Sequence, residues 1–149
     1  MTLRRVAAEV VALSVVVLAG LELYTRLPVG TRTPALDLPA EVDTVVLVIH
    51  GAGDADNPLM PQIVAGLAAR FGDRRDVAVR YLRWSPESDQ RLRAAATARA
   101  MGRRVGQVLA RHGGIRALHL VGHSVGAFMP DAICEAHREA AAAPAAVTM

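Results

Sequence analysis

The chain has 149 residues, which is enough for one domain of ordinary size but small for a complete α/β enzyme. Apolar residues make up 52% of it, so a hydrophobic core can form, while its single cysteine, Cys134, excludes an intrachain disulfide and a cysteine metal cluster. The formal charge is only +3, every basic residue is an arginine and 3% of residues are aromatic, a composition that argues against a nucleic-acid partner.

The first 24 residues predict a signal peptide or a membrane anchor. The stretch between Glu9 and Glu22 has 12 residues without a charge, closer to a signal-peptide core than to a bilayer span of about 20 residues. Cleavage after Ala19 fits the first alternative, and glutamates at the headgroups fit the second. An apolar helix packed on the domain is the remaining alternative. We therefore expect membrane association through residues 6–24 and a location in the cell envelope, anchored or exported.

The next segment, residues 25–41, holds three prolines and a glycine and predicts an extended linker. From Val42 the pattern becomes regular and predicts the folded domain, residues 42–149. A β-branched apolar run ending at His50 predicts a strand buried on both faces. A helix follows it, with Asn57 as the cap and Pro58 at the first helical position.

The second half of the domain repeats the alternation. Residues 77–84 predict a second strand, and a long helix is expected from a cap at Ser85 to about His112, with Arg93 among its solvated arginines. A third short strand, residues 117–121, precedes a turn and another helix. Such alternation predicts the α/β class, with a parallel sheet of about three to four strands between helices in three layers.

The turn after the third strand carries a serine between two glycines. Gly122 and Gly126 flank Ser124 at two positions on each side, with His123 and Val125 between them. A strand, this motif and a helix in succession are what a nucleophile elbow requires, because the turn is tight and leaves no room for bulk near the serine. Ser124 is therefore the candidate nucleophile, and a plain turn serine is the alternative.

A second motif ends the first strand. It consists of His50, Gly51, Ala52 and Gly53. With this loop and the elbow, residues 42 to 140 resemble the lipase and esterase branch of the α/β-hydrolase superfamily, in which the two motifs form an oxyanion loop and a nucleophile elbow.

The resemblance implies a serine hydrolase that acts on a small-molecule or lipid ester. It makes Ser124 the catalytic nucleophile, and it assigns the oxyanion-stabilising N–H groups to Ala52 and Val125. It leaves His50 to shape the loop, with the flanking glycines and His123 as supporting motif residues. The family needs no metal and no organic cofactor, so none is expected here.

The chain departs from the family pattern after the elbow. The family places an acid and then a histidine on later strands, whereas only 25 residues follow Ser124. His137 would lie about 20 Å along the next helix, and His123 is expected to point away from the serine. We therefore expect the chain alone to be inactive and to fold poorly without a membrane, a partner or a chaperone, as an incomplete gene product would. A non-catalytic hydrolase-like binding protein, or an inactive fragment, is the alternative.

One further residue conflicts with a helix that begins directly after the elbow. Pro130 would lie inside a helix starting at Val125 and would remove a backbone hydrogen bond, at a cost of about 3 kcal/mol. The helix must therefore either kink at Pro130 or begin later.

Overall fold

A computed structural model describes residues 3–27, 30, 32–141 and 146–149. Within them, helices and strands follow one another in the expected alternation. In chain order they are α1 (Leu3–Arg26), β1 (Thr44–Ile49), α2 (Leu59–Phe71), β2 (Val77–Leu82), α3 (Arg91–His112), β3 (Ala117–Gly122), α4 (Pro130–Ala140) and β4 (Ala146–Thr148), with short 3₁₀ turns at Glu87–Asp89 and Ser124–Phe128.

The four strands form one parallel sheet in the order β2-β1-β3-β4. β1 lies between β2 and β3 along its whole length, and five consecutive residues from Val45 to Ile49 are buried. A strand covered on both faces in this way needs the β-branched apolar sequence that β1 has. The predicted α/β class and parallel sheet are confirmed.

Helices cover the two faces of the sheet unequally. On one face, Val45, Leu47 and Ile49 of β1 share the main core with residues of α3 and α4. On the other face α2 packs alone. Beyond Met60, its apolar side chains on this face are only half buried, namely Ile63, Val64, Leu67 and Phe71. The result is a three-layer arrangement in which part of β3 on the α2 side stays open to solvent.

One helix begins later than its predicted start, and the structure decides between the two alternatives for another. The Ser85 cap was wrong, because α3 begins at Arg91 after the 3₁₀ turn. The Ser85 hydroxyl instead lies 3.1 Å from the Ser88 hydroxyl and donates to Asp89 Oδ1 at 3.3 Å within the turn. Arg93 was also wrongly placed in solvent, since it is buried. α4 begins at Pro130, so the conflict at this residue is resolved by a later start. The first residue of any helix has no intrahelical partner for its N–H, and a proline there therefore loses no hydrogen bond.

The described residues of the predicted linker lie along α3. The Leu27 carbonyl accepts a hydrogen bond from Arg93 Nη2 at 2.7 Å, and the Pro39 carbonyl lies 2.9 Å from His112 Nε2. These contacts place one end of the segment at the start of α3 and the other at its end. Residues 28, 29 and 31 of the predicted linker lie outside the described residues.

The last strand is short. β4 pairs with β3 through three residues, with Ala146 opposite Ala117. β4 is thus the fourth strand of a sheet predicted to have about three to four, while residues 142–145 before it lie outside the described residues.

Candidate active site

The backbone at the end of β3 turns sharply at Ser124. Ser124 has φ +53°, the only positive φ outside glycine among the described residues, and it follows His123 in an extended conformation. The His123 N–H donates to the Ile49 carbonyl at 2.9 Å, which ties the turn to the end of β1. A serine costs more than a glycine in the left-handed region, so the surrounding contacts must hold it there.

Those contacts depend on the two flanking glycines. A Cβ at Gly122 would lie 2.6 Å from the Ala127 Cα, and a Cβ at Gly126 would lie 2.5 Å from the His50 carbonyl oxygen. Both neighbours are backbone atoms, which cannot move aside as a flexible side chain can. The turn therefore closes on itself at Gly122 and on the end of β1 at Gly126.

The second loop, residues 50–53, is organised by His50. The Trp84 N–H donates to His50 Nε2 at 3.3 Å, so Nδ1 carries the proton and donates to the Gly51 carbonyl at 2.8 Å. The Trp84 indole N–H donates to the His50 carbonyl at 2.9 Å. Burial lowers the pKa of the His50 imidazole, so the ring is neutral at pH 7. His50 therefore shapes the loop and has no free nitrogen for proton transfer.

The two loops meet at the carboxyl edge of the sheet. A Cβ at Gly51 would lie 3.0 Å from the Ser124 Cβ. This contact requires the absence of a side chain at Gly51, since a β-carbon would press on the serine. Ser124 itself is exposed to solvent, so a ligand can reach its hydroxyl at the mouth between the loops.

Two backbone N–H groups at this mouth are unengaged. Among the described residues, neither the Ala52 N–H nor the Val125 N–H donates a hydrogen bond to another group of the protein. Ala52 and Val125 are partly buried and pack against the main core, which keeps their backbone in place. Fixed, unpaired donors beside an exposed hydroxyl are suited to hold a developing negative charge on oxygen.

The nearest imidazole belongs to His123, and it pairs with a carboxylate. His123 Nδ1 lies 3.2 Å from Asp54 Oδ2, and His123 is the more exposed partner. Within the described part of the chain Ser124 Oγ has no hydrogen-bond partner. His137 is buried in α4, and His112 contacts the carbonyl of Pro39 in the predicted linker. The described residues thus place a serine and two donors together but join no base to the serine.

Three residues at the site carried no motif in the sequence. Trp84 holds His50, as described above, and the Tyr81 hydroxyl donates to the carbonyls of Asp54 and Ala55 at 3.2 and 3.0 Å. Asp54 holds His123. Tyr81 and Trp84 lie at and just after the end of β2, which is next to β1 in the sheet. Knowledge of the strand order would therefore have been needed to predict that they contact the loop after β1.

The remaining acidic, histidine and cysteine side chains are dispersed. No group of three or more that could hold a metal ion occurs among residues 3–27, 30, 32–141 and 146–149. Cys134 is buried, and burial raises the pKa of its thiol.

No family model, curated protein or solved structure matches this chain. Its function must therefore be argued from the geometry of the elbow and the neighbouring loop.

Proposed function

We propose that the chain is a serine hydrolase of the esterase and lipase type, with Ser124 as its nucleophile. The observation that carries the proposal is the exposed Ser124 at φ +53°, packed against Gly51, in two loops whose Ala52 and Val125 N–H groups are unengaged. Strain of this kind at a polar, solvent-facing residue is typical of a functional position.

The chemistry follows from these atoms. Ser124 Oγ attacks the carbonyl carbon of an ester, and the N–H groups of Ala52 and Val125 hold the resulting oxyanion. The alcohol leaves, and water then releases the acid from the serine ester. Donors of this kind sustain about 10³-fold catalysis over water even where the base is lost. We therefore expect slow acylation of the isolated chain, because no base is joined to Ser124.

The decisive experiment is covalent labelling with a fluorophosphonate probe, read by mass spectrometry of the modified peptide. We expect slow labelling at Ser124, faster labelling when free imidazole supplies the missing base, and none in Ser124→Ala. Ser85→Ala is the matched control, since Ser85 is a serine at the same edge that should not react. Labelling of a folded sample that is unchanged in Ser124→Ala would refute the proposal.

A second variant tests the contact between the loops. Gly51→Ala places its β-carbon 3.0 Å from the Ser124 Cβ and 3.0 Å from the flexible Asp54 carboxylate, so it crowds the nucleophile more than the fold. We expect its labelling rate to fall at least tenfold while its unfolding transition stays near that of the parent chain.

A non-catalytic binding protein is the second candidate. The observation that favours it is the absence, within the described residues, of an imidazole joined to Ser124 Oγ. The elbow would then persist because its glycines are needed for packing. Failure of the probe to label Ser124 in a folded sample, with and without imidazole, would favour this candidate.

The apolar helix α1 fits a retained membrane anchor. It is long and apolar enough to cross a membrane, with a mean hydropathy of 2.2 in its most apolar window, which has no residue buried against the domain. The two glutamates that interrupt it are neutralised, Glu9 by Arg5 at 3.2 Å and Glu22 by Arg26 at 2.7 Å. Paired charges near both ends reduce the cost of placing them at the headgroups. The hydrolase would thus be held at a membrane of the cell envelope.

A further inference from the structure

The apolar helix α1 is followed directly by a residue that is hydrogen-bonded to the domain. Arg26 is its last residue, and the carbonyl of the next residue, Leu27, is bonded to Arg93. The ring of Tyr24, one turn earlier, lies 5.2 Å from the guanidinium carbon of Arg93. Since Arg93 lies in the first turn of α3, the end of α1 is held at the N-terminus of that helix.

The N-terminus of α3 lies at the same edge of the sheet as Ser124. All strands are parallel, so their carboxyl ends share one edge, and α3 follows β2. The Gly53 N–H donates to the Ser88 carbonyl at 3.1 Å, directly before α3. A Cβ at Gly53 would lie 3.5 Å from Arg91 Nε. The oxyanion loop and the end of α1 therefore contact the same first turn of α3.

Large apolar side chains are exposed around this edge. Leu59 is 53%, Leu92 72% and Phe128 60% exposed, and we call these three the apolar rim. Each belongs to the segment that follows one strand: Leu59 starts α2 after β1, Leu92 is the second residue of α3 after β2, and Phe128 ends the 3₁₀ turn after β3. Three separate segments thus present a large apolar side chain at one edge.

The opposite edge is different. The turn before β2, residues 72–76, is charged, and the Arg116–Asp43 pair lies beside the starts of β3 and β1. Among the described residues, no large exposed apolar side chain lies in the segments 72–76 or 113–116. The two edges would therefore interact differently with a membrane.

We propose that the apolar rim docks on the bilayer that α1 enters, so that the edge bearing Ser124 faces the lipid. Docking would remove the exposed apolar surface of each rim side chain from water, which favours the bound state. Charges of both signs accompany the rim, with Arg83 and Asp56 paired at 3.6 Å, so an uncharged lipid surface is sufficient. The substrate class follows if Ser124 is the nucleophile, and so it rests on the proposed function: Ser124 acts on an ester of a bilayer lipid at this edge.

The test uses the full chain in phosphatidylcholine vesicles with a fluorescent NBD label at a single cysteine. Leu92→Cys and Phe128→Cys report on the rim, and Asp73→Cys, exposed in the turn at the opposite edge, is the matched control. All three carry Cys134→Ala. Because the two rim side chains are exposed, their substitution leaves the core intact. Nitroxide on the lipid quenches only labels that reach the bilayer.

We expect the rim labels to lose more than half of their fluorescence and to shift to the blue, while the label at position 73 changes little. Equal quenching at the two edges, stronger quenching at position 73, or no quenching at any position would overturn the docking. Adding Ser124→Ala should leave the quenching unchanged. The orientation is thus measured without hydrolysis, so its failure and that of the proposed function are distinguishable.

Discussion

Ser124 combines a solvent-exposed hydroxyl with a backbone conformation that residues other than glycine rarely adopt. At φ +53°, the backbone strain of an L-residue costs about 1–2 kcal/mol of folding free energy. A glycine removes this strain, but its greater freedom in the unfolded chain offsets about 0.5–1 kcal/mol of the gain. The hydroxyl is exposed, so its removal alone should change stability little. Strain and exposure at the same residue make stability and labelling respond differently to substitution.

We expect Ser124→Gly to have a free energy of unfolding about 0.5–1 kcal/mol higher than Ser124→Ala, since both lack the hydroxyl and only one keeps the β-carbon. Urea unfolding in mild detergent, followed by the fluorescence of the buried Trp84, measures the difference. A Ser124→Gly chain no more stable than Ser124→Ala would show that the turn is unstrained in solution.

Two buried histidines should make stability depend on pH. Burial lowers the pKa of both His50 and His137 below the usual 6.5. Below that pH the two imidazoles bind protons more readily in the unfolded chain than in the folded chain. Their contribution to the free energy of unfolding is therefore complete above about pH 6.5 and is lost as the pH falls further. Hydrogen bonds from Arg116 lower the pKa of Asp43, and hydrogen bonds from Arg74 lower the pKa of Asp76. The stability that these two carboxylates contribute is lost only near and below pH 3.8.

We therefore expect the free energy of unfolding to fall between pH 7.5 and pH 5.5, and to fall less steeply in His137→Gln, which cannot titrate. Denaturant unfolding at the two pH values checks both statements. A stability that rises toward pH 5.5 would contradict the assignment of neutral, buried rings.

At the scale of elements, the closest packing lies between α3 and α4. A Cβ at Gly106 would overlap the Ile133 carbonyl oxygen and lie 2.9 Å from the Ala136 Cβ. A Cβ at Gly102 would lie 2.8 Å from the Met129 carbonyl oxygen. These two glycines, one turn apart, allow the helix that follows the elbow to lie directly against α3.

We expect Gly106→Ala to lower the free energy of unfolding by about 1–3 kcal/mol, because the two helices must separate. Gly66→Ala is the matched control, since it is also inside a helix but has open space around it, and it should raise stability by up to about 1 kcal/mol. Thermal unfolding of the two variants beside the parent chain gives both differences. Equal effects of the two substitutions would mean that helix propensity alone decides.

The boundaries of elements show where local signals competed with tertiary ones. α2 begins at Leu59, one residue after the predicted Pro58, and the Leu59 N–H donates to Asn57 Oδ1 at 3.0 Å. α3 ends at the predicted His112, before the left-handed Gly113, because such signals act within one turn. The start of α3 does not follow the Ser85 cap, because the segment 87–89 packs against the loop 50–53, where the Gly53 N–H donates to the Ser88 carbonyl. A contact between distant residues overrode a correct local pattern.

For the whole molecule, the proposed membrane anchor α1 is the feature that should most affect behaviour. We expect the full chain to remain in the membrane fraction after alkaline carbonate washing, with an intact mass that includes residues 1–19. Val16→Arg, in the middle of the uncharged stretch, should release it, because a charge at the bilayer centre costs about 3 kcal/mol or more. Material that begins at Gly20 would show a cleaved signal peptide instead.

The sequence by itself determined the α/β class, the parallel sheet and the candidate nucleophile. These follow from the periodicity of apolar residues and from glycines at fixed spacing, which act over a few neighbours. It also gave Ala52 and Val125 as candidate donors, through the resemblance to hydrolases, and their catalytic role stays a prediction.

Only the tertiary structure decided which groups meet. It placed Gly51 against Ser124, bonded the His50 ring to Trp84, paired His123 with Asp54, and brought the end of α1 to the carboxyl edge of the sheet. The physical reason is that these contacts join residues far apart in the chain. They depend on strand order and helix packing, which local sequence patterns do not encode.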